Sequence, residues 1–100
     1  MDRAQLNAVL ELALGSDQVH FQPPANLTME FPCIVYQPDT GNTLFAGNLP
    51  YRYNTRYQVT LISEDPDLDV FQKLTQLPMC LFDRFFVVDN LNHHVFNLYI

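Results

Sequence analysis

The chain has 100 residues, of which 48% are hydrophobic, 13% aromatic and only 16% charged. That length supports one domain over residues 1–100, with about 65% of the unfolded chain's surface buried, and the composition excludes disorder over most of it. Five basic residues against eleven acidic ones leave a net charge of −6, which excludes the basic patch that a nucleic-acid backbone or an anionic membrane requires.

Leu6, Val9, Leu10, Ala13 and Leu14 recur at helical spacing, so an amphipathic helix is predicted over 2–14, with Asp2 as N-cap and Gly15 as the stop. Val19-His20-Phe21 reads as a short strand, ended by Gln22-Pro23-Pro24 because proline cannot donate to a ladder. A polar loop over 22–31 leads to a strand over 33–37, closed by Pro38-Asp39-Thr40-Gly41. Residues 42–53 mix Leu44, Phe45, Leu49 and Tyr51 with Gly47 and Pro50, the pattern of an extended connection or a long hairpin arm.

From Arg56 to Ser63, Tyr57, Val59 and Leu61 alternate with Gln58, Thr60 and Ile62, which predicts a strand. Glu64-Asp65-Pro66-Asp67 then reads as a turn and helix start. Val70, Phe71, Leu74 and Leu77 supply the apolar face of a second helix ending before Pro78. Residues 80–88 and 93–100 are rich in aromatic and β-branched residues, and Asp89-Asn90-Leu91-Asn92 between them predicts a hairpin. The expected fold is α+β: a mostly antiparallel sheet with two helices packed on one face, in the order α-β-β-β-α-β-β. Helices on one face leave the other to water or to another subunit, and regular alternation assigns Phe85 and Tyr99 to that open face.

No convergent chemistry is expected. Zinc needs three or four ligands at one point. His93 and His94 are adjacent on a strand and face opposite ways, and His20 and Asp89 complete no set. The expected role of the histidine pair is hydrogen bonding to the turn. In a regular hairpin Cys80 pairs beyond the chain's end, some 20 Å from His94, too far for a thiolate–imidazolium pair. Cys33 and Cys80 read as buried free thiols, which suits a reducing cytoplasm. The isolated glycines Gly15, Gly41 and Gly47 cradle no phosphate, and no calcium-loop pattern follows the acidic cluster Glu64, Asp65, Asp67 and Asp69. That cluster reads as a solvated helix cap or an acidic patch for a partner. Asp83 and Arg84 interrupt an apolar strand, so each must be paired or wet: a bridge to a neighbouring strand, a subunit contact or a charge lining a lumen. On alternation Arg84 shares a face with Phe82, Phe86 and Val88. The N-terminus lacks the apolar stretch of a signal peptide, and every apolar run is shorter than the ~20 residues that span a bilayer. A non-enzymatic protein without cofactor, metal or membrane contact is expected.

Arg56-Tyr57-Gln58-Val59-Thr60, Asp65-Pro66-Asp67, the run from Leu77 to Arg84 and the run from Asp89 to Tyr99 together resemble the small tail terminator or tail completion proteins of long-tailed, siphovirus-type bacteriophages. Val19-His20-Phe21-Gln22-Pro23-Pro24 and Phe31-Pro32-Cys33-Ile34-Val35-Tyr36 extend the resemblance towards the N-terminus, and residues 42–53 match least. The resemblance implies a homo-oligomeric ring, typically a hexamer, at the head-proximal end of the tail of the virion, assembled in the host cytoplasm. Such a ring contacts the tail tube protein and the neck or head-completion protein, stops tube growth, and lets DNA pass without specific binding. It implies an α/β sandwich fold and no catalytic residues. Ring contacts are heterologous, each using two different patches of one chain. Asp83, Arg84, Phe85 and Tyr99, with Leu44, Phe45 and Tyr51 of the middle segment, are the candidate interface or lumen residues. The rival readings are a neck or head-completion adaptor and an acidic inhibitor that mimics DNA. The latter needs spaced carboxylates, whereas here only residues 64–69 cluster.

Overall fold

The computed structural model describes residues 2–23, 28, 30–38, 42–46, 49–54, 56–65 and 68–99, the segments 42–46 and 49–54 as backbone only. Helix α1 spans Arg3–Leu14. Its start is a capping box: Asp2 Oδ1 accepts from the Gln5 backbone N–H at 2.8 Å, and Gln5 Oε1 accepts from the Asp2 N–H at 2.9 Å. Its end is Gly15 in the left-handed region at φ 81°, donating its N–H to the Glu11 carbonyl at 2.8 Å. The buried stripe is Leu6, Leu10, Ala13 and Leu14.

Strands β1 (Val19–Phe21), β2 (Cys33–Pro38), β5 (Arg56–Ser63), β6 (Cys80–Val88) and β7 (Leu91–Tyr99) build one sheet in the order β1-β2-β5-β7-β6. All its pairings are antiparallel except the parallel β1–β2 pair. With α2 (Val70–Thr75), this sheet has the expected order α-β-β-β-α-β-β. Strands β3 (Asn42–Ala46) and β4 (Leu49–Asn54) form a separate antiparallel hairpin inserted before β5, so the middle segment is the hairpin arm of the two readings.

Residues opposite one another in the ladder share a face. Tyr57, Val59, Leu61 and Ser63 oppose Leu98, Phe96, His94 and Asn92, while Ile34 and Tyr36 oppose Leu61 and Val59. Both helices pack on this side, and the main core joins Leu6, Leu10 and Leu14 of α1 and Val70 and Leu74 of α2 to these strands. A fully buried leucine contributes about 1.5–3 kcal/mol, so this stripe holds α1 on the sheet. The opposite face is not bare. Cys33, Ile62 and Val95 lie on it, each at most 8% exposed.

Two expectations change. The second helix is shorter than its apolar pattern, Val70–Thr75, and it does not begin in the acidic turn. The preceding residues are engaged elsewhere: Ser63 Oγ donates to the Asp65 carbonyl at 2.7 Å, and Asn92 Nδ2 donates to the Ser63 and Glu64 carbonyls, both at 3.2 Å. The β6–β7 turn is Asp89-Asn90 alone, both residues at positive φ (54° and 64°), which is the geometry of a two-residue hairpin turn. The shorter turn brings Val88 opposite Leu91, and with a one-residue register shift between Phe82 and Arg84 it sets Cys80 opposite Leu98, within the chain rather than beyond it.

Candidate functional site

Strand β6 lies at the edge of the sheet, and it is where the sequence and the structure disagree most. Its register against β7 shifts between Phe82 and Arg84: Phe82 opposes Phe96 and Arg84 opposes Val95, leaving Asp83 as an unpaired extra residue. This is a β-bulge, and it reverses the alternation beyond it. Cys80, Phe82, Phe85 and Val87 therefore face the helices, while Leu81, Arg84, Phe86 and Val88 face away. Phe85 is thus not on the open face assigned to it by alternation, and Arg84 does not share a side with Phe82. Tyr99 does lie on the face opposite the helices, half-buried, across from Arg56.

Among the described residues, the charges in the strand bridge to no neighbouring strand. Arg84 Nη1 donates to Asp83 Oδ2 at 2.9 Å, so the ion pair is closed within the bulge itself, with both side chains at the surface. An exposed pair of this kind contributes little to stability. Around it β6 is a row of apolar groups in water: Leu81 is 62% exposed, Val87 55%, Phe85 47% and Phe82 46%, and Phe86, Val88 and the preceding Met79 are exposed as well. Leu81, Phe86, Val87, Val88 and Met79 escape sequence reasoning because a continuous apolar run reads as a strand buried on both faces. The absence of polar alternation was the available signal.

Aromatic packing runs from α2 across β7 to the edge strand itself. Phe71 of α2 contacts Phe82, Phe96 and His94 at ring-centroid distances of 5.4, 5.5 and 5.0 Å, and Phe85 covers His94 at 4.8 Å. His94 is buried, its Nδ1 has no hydrogen-bond partner, and burial holds its pKa below the ordinary 6.5. It does not bond the turn. His93, on the other face, reaches only the first residue of its own strand: its Nδ1 lies 3.0 Å from the Leu91 carbonyl, and its ring stacks on Phe86 at 4.7 Å.

The remaining candidates do not converge. Cys33 is buried on the face away from the helices and Cys80 is half-buried on the helix side; burial pushes both thiols up to about 11, away from the reactive thiolate. Cys80 and His94 share a face but lie four ladder positions apart, about 13 Å at the strand rise. Among the described residues no three His, Cys, Asp or Glu side chains group as metal ligands, and no helix is long and apolar enough to cross a membrane. In the acidic cluster Glu64 and Asp65 are exposed, Asp69 precedes α2 without a side-chain capping bond, and Asp67 lies outside the described residues. The side chains of Leu44, Phe45 and Tyr51, on β3 and β4, also lie outside them.

One open concavity of about 660 Å³ lies beside the start of α1, lined by Asp2, Arg3, Asn7, Phe21, Tyr36 and Tyr57 among others. Several of its polar groups are paired. Tyr36 Oη donates to Asn7 Oδ1 at 2.7 Å, Asn7 Nδ2 donates to Glu11 Oε1 at 3.0 Å, and the Arg3 guanidinium sits 4.2 Å from the centre of the Phe21 ring. Burial raises the Tyr36 pKa, so the phenol stays a neutral donor. Of its lining groups, the Asp2 carboxylate caps α1 through the Gln5 N–H and the Tyr36 phenol is held by Asn7.

Comparison with protein-family models, with curated proteins and with solved structures gives no match to this chain.

Proposed function

We propose that the chain is a structural assembly protein: a ring-forming tail terminator that caps a phage tail tube and offers the head-proximal surface to the neck. The observation that carries an assembly role is β6, an edge strand with a continuous row of half-exposed apolar side chains. Long apolar edge strands are aggregation sites unless something covers them, so a protein partner is the consistent reading. The net charge of −6 suits a wall that DNA slides past. The thiols held in the protonated form suit a protein without nucleophilic chemistry. The particular assembly comes from the sequence resemblance to tail terminators.

Electron microscopy of lysates from a phage lacking this gene tests the reading. Overlong, headless tails of variable length are expected. Tails of normal length beside filled heads would replace the terminator with a head–tail joining role, and intact infectious virions would overturn the assembly reading.

A further inference from the structure

We infer that two copies of this chain pair through β6, antiparallel edge to edge, about a two-fold axis that passes between Asp83 and Arg84. The inference concerns the free chain and does not rest on the ring reading; the pair is isologous and occupies the same β6 edge, so it must open before that edge takes an assembly partner. A two-fold axis perpendicular to the sheet maps the helix side of one copy onto the helix side of the other, so residues opposed across the junction must share a face. The bulge fixes which registers satisfy this. Centred on the strand at Arg84, the pairing would set Phe82, on the helix side, against Phe86, on the other. Moved by half a residue, to the bulge, every pair matches: Phe82 meets Phe85 of the second copy, Leu81 meets Phe86, and Cys80 meets Val87. This register also overlaps nearly the whole strand.

The same register sets Asp83 of each copy against Arg84 of the other. These are the only charged residues of β6, and they already bond one another within a chain. In the pair, two such couples meet at the axis with opposite signs facing, while an unshifted centre would bring Arg84 against Arg84. The exposed fractions of Met79, Leu81, Phe82, Phe85, Phe86, Val87 and Val88 amount to roughly 600 Å² of apolar surface per copy, taking large side chains at about 150–250 Å² each. Doubled, the whole of it only reaches the lower end of the roughly 1,200–2,000 Å² that specific interfaces bury, and edge pairing covers the flanks of these side chains alone, so the ladder and the charges must supply the rest. The unpaired backbone groups of β6 add a ladder that the monomer leaves to water. A copy of this chain fits the edge because the edge is complementary to itself in shape, in face and in charge.

The test is the mass of the full chain in solution by sedimentation equilibrium or light scattering. Twice the 11.6 kDa chain mass is expected at tens of micromolar. Arg84→Glu and Asp83→Arg should each weaken self-association at least tenfold, because each places like charges across the axis. An equimolar mixture of the two variants should restore the double mass, since one variant then brings two guanidinium groups to the axis and the other two carboxylates. Circular dichroism of each variant establishes that it is folded; if either is not, Leu81→Lys, at a position 62% exposed, should give the single-chain mass with a native spectrum. A single-chain mass for the unaltered protein at 200 μM, or a mixture that fails to restore the pair, would overturn the inference. A closed ring mass would also overturn it while leaving the proposed function standing.

Discussion

Phe82 and Phe85 point to the same side of the sheet although they lie three apart in sequence. Phe82 opposes Phe96, and Phe85 opposes His94 at a ring-centroid distance of 4.8 Å. The extra residue Asp83 is what makes the two positions equivalent. Without it, Phe82 and Arg84 would become consecutive and alternate in the ordinary way, with every other pair of the β6–β7 ladder unchanged. Deleting Asp83 is therefore expected to leave the fold intact, with unfolding free energy within about 1 kcal/mol of the unaltered chain. Deleting Asn97, in the central strand, should cost about 2–5 kcal/mol or abolish folding, because it turns the buried Leu98 away from the core. Urea titration of both variants checks this, and equal tolerance of the two deletions would contradict the register described.

His94 ties stability to pH. The rings of Phe71, Phe82 and Phe85 surround it, none of them titrates, and its folded-state pKa is lowered by burial. The unfolded chain therefore takes up the proton first. The contribution of the neutral ring is complete above the ordinary value of 6.5 and is lost as pH falls below it towards the lowered folded pKa. The urea midpoint should fall between pH 8 and pH 5.5 in the unaltered protein, and less so in His94→Phe. Identical slopes for the two would remove His94 as the cause.

Met79 sits at φ 60°, where a side chain other than glycine or asparagine is strained, and 60% of it is exposed. Its carbonyl accepts from the Tyr99 N–H at 3.1 Å, so the position closes the open end of the β6–β7 hairpin. Met79→Gly should relieve the strain and lose little packing. A gain of about 1 kcal/mol is expected, which for a domain of this size raises Tm by about 4–8 °C. A lower Tm would mean that the exposed side chain packs on something.

Arg84→Glu and Tyr99→Ala separate folding from assembly. Arg84 is exposed and Tyr99 is half-buried on the face away from the helices, so neither substitution opens the main core. Both variants are expected to keep the native circular dichroism spectrum and to lower phage titre at least tenfold when supplied in trans to a deletion. Full complementation by both would remove these positions from the assembly interface.

The elements themselves were legible. The stripe from Leu6 to Leu14 with Asp2 and Gly15 at its ends fixes α1 to within a residue, and the alternation from Arg56 to Ser63 matches β5. Registers were not. Asp89-Asn90-Leu91-Asn92 reads as a four-residue turn from its polar residues, yet Leu91 and Asn92 belong to β7 and Asn92 spends its side chain on the Ser63 and Glu64 carbonyls. The bulge at Asp83 left no mark in composition, and an error of one residue there moves Phe85 to the other side of the sheet. The acids at 64 and 65 read as a helix start because acids favour that place, but a local bond from Ser63 and a tertiary one from Asn92 claim their carbonyls.

The strand order holds a consequence for synthesis. Strand β7 follows β6 in sequence yet lies between β5 and β6 in the sheet. A nascent chain on the ribosome therefore carries β6 with no ladder partner, and β5 with one open edge, until Leu91 to Tyr99 have left the exit tunnel. The apolar row of β6 is then exposed along both edges. The two-residue turn at Asp89-Asn90 lets β7 fold back onto it within microseconds of emergence, long before the slower pairing with β5 needs to be complete.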